Sequence, residues 1–344
     1  MNILYDIRVI IGWCREIIRT GFRNKKILKS CENYLVNGIY KNSYRGDYIY
    51  NVSNNSDLGN ITFSSLTFYK GHLKFVLKWL INLFEYKINN EKKTFCGTEV
   101  IISSTETEIK IFDTTKDEVL TLYKELHKLN NIAQEKEFFS LYYNVPSTIM
   151  IDHNNKYICE RFVRHKEFVV KEAFDKLCKS MVDYVQANGN DAYCNIEDDK
   201  IKSRFFEECF GKSLLLDLTL GFPKIKMHGD FWRSNIIFDG SCYYVTDFEK
   251  AGSRYFLYDF FCFIFSDCRF FKNEELMDSY FNGEYDSVLI SMFESVKQKY
   301  DSSKRDVYFL TFIVELSYER LSKFHTLRIM GSFLKKYIPC YFKI

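Results

Sequence analysis

The sequence predicts an α+β protein, organised as one two-lobed domain or as two domains. At 344 residues the chain is longer than one hydrophobic core usually supports. The alternation of apolar and polar residues over 107–112 is typical of a strand, whereas the apolar spacing over 72–86 and 168–185 is typical of helices. The apolar run at 258–265 also predicts a helix. Hydrophobic residues at 47% and charged residues at 27% indicate an ordinary folded protein.

Composition also limits the environment and the partners. The eleven cysteines are scattered and lack C-x-x-C pairs, which favours reduced thiols in a cytoplasmic protein over a secreted disulfide framework. We expect no secretory leader and no membrane-spanning helix, because no apolar run approaches the roughly 20 residues that a span needs. The net charge of +3 is too small to predict a nucleic-acid partner. Residues 1–30 predict a basic amphipathic helix, which either packs on the domain or contacts the inner face of a membrane.

The most informative stretch is M-H-G-D-F-W-R-S-N-I-I-F at 227–238, followed by Y-V-T-D-F-E at 244–249. Asp230 and Asn235 lie five residues apart on a predicted tight loop, and a strand pair returns Asp247 toward them. Transfer of a phosphoryl group needs a carboxylate that accepts the proton of the attacking hydroxyl. It also needs oxygen ligands for the magnesium ions that neutralise the phosphates. The residue types and their spacing fit both requirements.

The pattern H-G-D-x-x-x-x-N followed by D-F-E resembles that of the kinase-fold small-molecule phosphotransferases, the aminoglycoside phosphotransferase and choline kinase family. Protein kinases carry H-R-D-x-x-x-x-N and D-F-G at the same places. The resemblance covers about residues 94–265. It implies a two-lobed protein-kinase-like fold, with a small antiparallel-sheet N-lobe and a mainly helical C-lobe. It also implies ATP- and Mg²⁺-dependent transfer of the γ-phosphoryl group to a hydroxyl.

The resemblance implies a role for each polar residue of this stretch. Asp230 would be the catalytic base, and Asn235 and Asp247 would bind Mg²⁺. Glu249, where protein kinases have glycine, would be an acid close to the metal ligands. His228, which we count with the catalytic set, would pack beneath the loop and bond to its backbone.

Two further residues complete the predicted C-lobe site. Arg233 stands where the family most often has proline, and would lie near the γ-phosphate or an anion of the substrate. Asp259 matches a family aspartate that supports the catalytic loop. Only eleven residues separate Asp247 from Asp259, and no A-P-E sequence occurs. The chain thus lacks the segment on which protein kinases hold a peptide.

The nucleotide would be held by residues of the N-lobe. Lys110, on a predicted strand, matches the family lysine that reaches the α- and β-phosphates. Glu135, with Glu137 as the alternative, would form an ion pair with that lysine. Gly97 lies in the predicted phosphate-covering turn. The backbone of the segment from Glu160 to Phe162 would contact adenine.

The predicted organisation is therefore an N-terminal extension at 1–93, mostly helical and of unknown role, a kinase-like N-lobe at 94–163, and a C-lobe at 164–344. The acceptor would be a small molecule or a saccharide, and a sugar of a surface polysaccharide or lipopolysaccharide is one such class. A catalytically inactive kinase-like binding protein is the alternative. A zinc hydrolase is disfavoured, because no second histidine lies near His228. The choice between ATP and GTP, the acceptor and the oligomeric state stay open.

Overall fold

The protein forms two compact units in the computed structural model. The first comprises residues 1–133 and 146–163, and the second comprises residues 134–145 and 164–344. The structure describes the following ranges: 3–42, 48–52, 84–89, 94–102, 107–210, 221–320 and 336–337. No helix within these ranges combines the length and the apolar character needed to cross a membrane.

The first unit is built on an antiparallel sheet of eight strands in the described residues. The strands are β1 (Gly38–Asn42), β2 (Tyr48–Asn51), β3 (Glu85–Ile88), β4 (Glu99–Ile102), β5 (Glu108–Asp113), β6 (Glu118–Tyr123), β7 (Thr148–Asp152) and β8 (Tyr157–Arg161). Their order across the sheet is β3-β1-β2-β4-β5-β6-β8-β7. Strands that follow one another in sequence mostly pair as neighbours, as short connections favour.

Alternation along β5 places its polar and apolar side chains on opposite faces of the sheet. Ile111 is fully buried, whereas Lys110 is partly exposed. Lys110 is opposite Ile101 on one side and Thr121 on the other. The core beneath the sheet is therefore made by the apolar face of each strand.

Helix α1 (Ile3–Ser30) contributes its C-terminal end to the same core. Leu28 is buried there, and Cys31 and Leu35 follow it into the interior. Burial raises the pKa of the Cys31 thiol to about 12, so the side chain acts as a small apolar group. The N-terminal segment is thus part of the packing of the first unit.

The second unit is mainly helical. Helix α2 (Leu126–Phe139) begins in the first unit and ends in the second. The other described helices of the second unit are α3 (Val170–Asn188), α4 (Ile196–Phe210), α5 (Tyr258–Phe271), α6 (Glu275–Phe281), α7 (Asp286–Ser295) and α8 (Arg305–Arg320). Two small antiparallel pairs carry the polar loop: β9 (Lys224–Met227) with β12 (Gly252–Tyr255), and β10 (Ile236–Phe238) with β11 (Tyr243–Val245).

Helix α5 is the centre of the second unit, because every residue from 258 to 268 is buried. A helix that is apolar on all sides belongs in a core. Rings from α3, α6 and α8 pack around it; Phe174, for example, lies 4.9 Å from Phe263 between ring centroids. Two carboxylates, Asp259 and Asp267, are buried within this apolar helix. Both lie beside the polar loop and are considered below.

The predicted α+β class is confirmed, with a sheet unit and a mainly helical unit. The helix predicted over 168–185 is observed as α3 and the one over 258–265 as α5. The sheet is larger than the small one predicted, because β1, β2 and β3 from the first ninety residues join it. The helix predicted over 72–86 is wrong at its end, since Glu85–Ile88 is a strand; residues 72–83 lie outside the described ranges. The three-part domain division stays a prediction.

Candidate active site

The polar loop from His228 to Asn235 is anchored by two short strand pairs. Strand β9 leads into it and pairs with β12, with Met227 opposite Gly252. The chain leaves it through β10, which pairs with β11, with Ile236 opposite Val245. Because both ends of the loop are held by ladders, its side chains are presented on a fixed backbone.

Asp259 supports this loop from the first turn of α5. Its Oδ2 and Oδ1 atoms accept the backbone N–H groups of His228 and Gly229, both at 2.8 Å. The side chain is buried, and burial raises the pKa of its carboxyl although His228 and the two amides oppose the rise. The predicted supporting role of Asp259 is confirmed.

Gly229 meets a steric requirement of the same turn. Its φ of +77° is in the left-handed region, which side chains with a Cβ rarely adopt. A Cβ at this position would lie 2.3 Å from the backbone oxygen of Lys250. Only glycine allows the loop and the segment after Asp247 to approach so closely.

His228 is completely buried and bonds to backbone groups through both ring nitrogens. Its Nε2 lies 3.0 Å from the oxygen of Thr246, and its Nδ1 accepts the N–H of Asp230 at 3.2 Å. A neutral ring with the proton on Nε2 satisfies both contacts. Phe139, Phe231 and Phe248 enclose the ring, with centroids at 6.1, 5.5 and 4.9 Å. With both nitrogens bonded, His228 connects the loop to β11 and is not placed to take a proton from a substrate.

Asn235 is fixed by its side chain and by its backbone. Its Nδ2 donates to the oxygen of Asp230 at 2.9 Å, and its own oxygen accepts the N–H of Thr246 at 3.0 Å. The first bond identifies the amide nitrogen as the atom turned toward the loop, which leaves Oδ1 as the atom suited to a cation. Through these two bonds the segments carrying Asp230, Asn235 and Asp247 share one frame.

Asp247 has a backbone conformation that is uncommon for a residue with a side chain. Its φ of 67° and ψ of 71° are left-handed, and Phe248–Lys250 form a 3₁₀ turn directly after it. Such conformations persist where surrounding contacts impose them, and they cluster at functional sites. Glu249 follows in the turn and is exposed; its predicted role near the metal stays a prediction.

Arg233 opens the 3₁₀ turn Arg233–Asn235 within the loop. Its guanidinium carbon lies 4.7 Å from the ring centroid of Phe271 and 5.8 Å from that of Phe168. Its Nη1 is 3.8 Å from Oδ1 of the buried Asp267. The side chain therefore lies against aromatic rings and a buried carboxylate, three residues after Asp230.

In the first unit, Lys110 lies 3.4 Å from the carboxylate of Glu108 on the same face of β5. Gly97 is packed against Ile111, where an added Cβ would be 2.1 Å from Cγ2. Its N–H donates to the oxygen of Tyr34 at 2.9 Å. A contact between this N–H and a phosphate would thus require that bond to open. The roles predicted for Lys110 and Gly97 stay predictions.

Three further predicted residues have defined surroundings. Oε2 of Glu135, in the second unit, lies 2.6 Å from Nζ of Lys226. In the first unit, Glu160 pairs with Val119 across the sheet, and Phe162 donates its N–H to the oxygen of Asp117 at 2.7 Å. The pairing of Glu135 with Lys110 and the contacts of 160–162 with adenine stay predictions.

Sequence reasoning missed Lys226 and Asp267. Lys226 also lies 4.6 Å above the ring of Phe138, so it contacts both an acid and a ring of α2. Asp267 carries a signal in the sequence, since a carboxylate in the apolar run F-I-F-S-D-C is expensive to bury without a partner. Its partner Arg233 is distant in sequence, and no periodicity connects the two.

The oxygen donors of the loop fit magnesium better than zinc. An amide oxygen and a carboxylate are hard ligands, and Mg²⁺ is usually held by one or two such groups with phosphates and waters. Among the described residues no group of three or more His, Cys, Asp or Glu side chains is arranged to hold a metal ion. The predicted assignment, in which Asn235 and Asp247 would bind Mg²⁺ and the nucleotide would supply further oxygens, stays a prediction.

Residues 189–286 match the model of the phosphotransferase enzyme family. The matched segment contains the whole loop from His228 to Asn235, together with Asp247 and Asp259. The predicted resemblance to the small-molecule phosphotransferases is confirmed. The match covers less than a third of the chain and does not reach Lys110. No curated protein sequence matches the chain.

Several solved structures are similar to this chain. Choline kinase LicA from Streptococcus pneumoniae has 13% identity and a TM-score of 0.40, over 66% of this chain and 83% of that one. A glucosamine kinase in complex with glucosamine, ADP and inorganic phosphate has 12% identity and a TM-score of 0.42, over 67% and 78%. The ADP-bound aminoglycoside phosphotransferase APH(2'')-Ib has 12% identity and a TM-score of 0.37, over 68% and 90%.

Proposed function

We propose that the chain transfers the γ-phosphoryl group of ATP to a hydroxyl of a small molecule or saccharide, with Mg²⁺. The observation that carries this proposal is the hydrogen-bonded frame that unites Asp230, Asn235 and the segment of Asp247. The backbone N–H and oxygen of Asp230 are both used in that frame, by His228 and Asn235. The carboxylate is therefore held on a fixed backbone, as positioning of a base requires.

In the proposed reaction, the Asp230 carboxylate accepts the proton of the acceptor hydroxyl. The hydroxyl oxygen forms a bond to the γ-phosphorus as the bond between that phosphorus and the bridging oxygen of ADP breaks. Asn235 and Asp247 are the residues assigned to bind Mg²⁺. When bound, the ion supplies positive charge that offsets the charge on the phosphate oxygens. Asp259 and His228 act indirectly, by holding the backbone that carries Asp230.

The size of the acceptor is inferred from the segment between Asp247 and Asp259. Its residues form the 3₁₀ turn Phe248–Lys250 and then β12, which pairs with β9. These eleven residues are far shorter than the segment, ending in A-P-E, on which protein kinases hold a peptide. A small molecule or a sugar is the acceptor that this supports, and a sugar of a surface polysaccharide or lipopolysaccharide is a candidate. In the same proposal the protein acts in the cytoplasm, including at the inner face of a membrane, which residues 1–30 would contact.

The test measures ADP formation from ATP or GTP with Mg²⁺ and a panel of neutral, amino and acidic sugars, choline and aminoglycosides. Asp230→Ala and Asp230→Asn are expected to lower kcat by about 10²–10⁴-fold, the usual contribution of a positioned base. Asp278→Asn is the matched control, because Asp278 is an exposed carboxylate on α6. Equal turnover by the Asp230 variants and the wild type would reject the assignment of Asp230.

A kinase-like protein that binds nucleotide without turnover is the second candidate. It is favoured by Gly97, whose N–H is already bonded to Tyr34 and is therefore not directed at a phosphate. The two candidates differ in one measurement. Binding of ATP at micromolar concentration, with no ADP formed for any acceptor of the panel, would select the binding protein.

A further inference from the structure

Arg233 lies in an arrangement that restrains its position but, among the described residues, gives its N–H donors no side-chain hydrogen-bond acceptor. The guanidinium stacks near Phe271 and Phe168. Its shortest ion-pair distance, 3.8 Å to Asp267, is too long for a hydrogen bond. Within the part of the chain that the structure describes, no side-chain hydrogen bond from Arg233 is found. A guanidinium has five N–H donors, arranged to match a carboxylate or a phosphate.

Asp267 explains why Arg233 stays in this place. Asp267 is 0% exposed, and burial raises the pKa of its carboxyl, a rise that Asn273 and Arg233 oppose. A buried carboxylate is costly unless a positive charge lies near it. Among the described residues, Arg233 is the cation whose charge lowers this pKa, at 3.8 Å from Oδ1, so each group restricts the other.

The accessible side of this pair is the guanidinium. The Arg233 side chain is 37% exposed, whereas Asp267 is not accessible. An incoming ligand thus meets N–H donors and positive charge before it meets the carboxylate. The positive charge and the N–H donors of the guanidinium favour an anion over an amine.

We propose that Arg233 binds an oxyanion of the reactants, and that Asp267 and Phe271 are positioning residues that hold its guanidinium. The oxyanion is either the γ-phosphoryl group of the nucleotide or a carboxylate or phosphate carried by the acceptor. Arg233 and Asp230 lie three residues apart on one loop whose two ends are held by strand pairs, so an anion bound by Arg233 would be held by the same loop as the proposed base. This inference rests on the proposed function, which it makes more specific.

The experiment compares Arg233→Gln, Arg233→Lys and the matched control Arg204→Gln, an exposed arginine on α4. One arm measures the affinity for ADP and for a non-hydrolysable ATP analogue. The other arm measures KM for glucuronate and glucose 6-phosphate against KM for glucose. Arg233→Gln is expected to weaken binding of the oxyanion by about 10–100-fold, the loss that follows when bidentate hydrogen bonds to a charged group are removed.

The two arms identify the source of the oxyanion. Loss of affinity for the ATP analogue, with ADP unchanged, assigns Arg233 to the γ-phosphoryl group. A rise in KM confined to the acidic acceptors, with nucleotide affinity unchanged, assigns it to the acceptor. Arg233→Lys is expected to recover part of the loss, because lysine keeps the charge but not the planar donors. The proposal is overturned if Arg233→Gln behaves like Arg204→Gln in both arms, or if it improves amine acceptors alone.

The positioning role of Asp267 has its own readout. Asp267→Asn is expected to raise the same KM or Kd by a smaller factor than Arg233→Gln, while kcat at saturation is kept. A merely structural role would lower the melting temperature without this selective change. Phe271→Leu, at a partly exposed ring, tests the same restraint if Asp267→Asn does not fold.

Failure of this inference is distinguishable from failure of the proposed function. If the wild type forms no ADP with any acceptor, anion binding is still measured by quenching of tryptophan fluorescence with inorganic phosphate and glucuronate. The chain has three tryptophans, and Trp232 is next to Arg233 in the loop, so its fluorescence would report binding there. Binding that is lost in Arg233→Gln and kept in Arg204→Gln supports the oxyanion site without turnover. Equal binding by both variants overturns it.

Discussion

The two carboxylate oxygens of Asp259 accept the N–H groups of two successive residues, His228 and Gly229. Both amides belong to a turn whose glycine has φ +77° and closely approaches the oxygen of Lys250. A buried N–H without a partner costs about 1–3 kcal/mol, so the turn depends on an acceptor with two oxygens. The position of Asp230, one residue further on, follows from this pairing.

Asp259→Asn is expected to destabilise the protein and to lower phosphotransfer. An asparagine offers one oxygen and places an amide N–H group against a backbone N–H. We expect a loss of about 1–3 kcal/mol in the free energy of unfolding, from the one backbone donor left unpaired. Urea unfolding followed by circular dichroism measures the loss, and ADP formation measures the activity. A change no larger than that of the exposed Asp278→Asn would show that the turn does not need the second oxygen.

The sequence predicted those site residues whose chemical type and spacing form a recognisable pattern. Asp230, Asn235 and Asp247 were predicted because their types and spacing fit one reaction, and Asp259 was predicted because it matches an aspartate of the family that the chain resembles. Asp267 was not predicted to contact Arg233, because an ion pair between a loop and the far end of a helix leaves no spacing rule.

At the scale of elements, helix α1 is joined to the edge of the sheet by a buried polar network. Nδ2 of Asn24 donates to Oδ1 of Asn42 at 2.8 Å, and Nδ2 of Asn42 donates to the hydroxyl of Tyr86 at 3.0 Å. The Tyr86 hydroxyl then donates to the oxygen of Gly21 at 2.6 Å. The network therefore connects α1 with β1 and β3, two strands far apart in sequence.

Asn42→Ala is expected to destabilise the first unit by about 1–3 kcal/mol, because two buried groups lose a partner. Tyr86→Phe is expected to cost a similar amount, since it removes the bond to Gly21. The double variant should cost less than the sum, because the two residues share one network. Urea unfolding gives these values, and the exposed Asn89→Ala at the end of β3 is the control. Simple additivity would indicate that Asn42 and Tyr86 act independently.

The same elements show where sequence patterns fall short. Helix α3 was predicted because its apolar residues recur with the helical period over several turns, and α5 was predicted from the continuous apolar run at 258–265. The first two residues of strand β3 were assigned to the end of a helix, although E-Y-K-I alternates between exposed and buried side chains. Four residues are too few for the period to decide, and the pairing of β3 with β1 decides instead. The pairing itself spans more than forty residues and has no local signal.

At the scale of the molecule, the two units are stabilised by different means. The first unit relies on the ladders of its sheet and on the apolar face beneath. The second unit has, besides its aromatic core, a largely buried cluster of charged side chains that joins α4, β9 and α8. Lys202 contacts Glu315 at 3.1 Å and Asp198 at 2.9 Å, and Lys224 contacts Asp199 at 2.7 Å. Glu315 also accepts the N–H of Tyr255 at 3.0 Å, so β12 is joined to the same cluster.

Glu315→Ala is expected to lower the free energy of unfolding of the second unit by about 3–5 kcal/mol, because it leaves Lys202 buried with less compensating charge. The pKa of Lys202 lies above its usual value, since burial lowers it but Glu315 and Asp198 outweigh that effect. A raised lysine pKa contributes stability that is fully present below about pH 10.4 and is lost as the pH rises through the folded value. The difference between Glu315→Ala and wild type should therefore be largest near neutral pH and smaller at alkaline pH. Urea unfolding between pH 7 and alkaline pH measures this difference in the free energy of unfolding.

The control is Glu197→Ala, which breaks an exposed pair with Lys200 on the same helix. It should lower the free energy of unfolding by less than about 1 kcal/mol. If the two substitutions cost the same, the buried cluster contributes no more than an exposed pair, and the aromatic core alone holds these elements together.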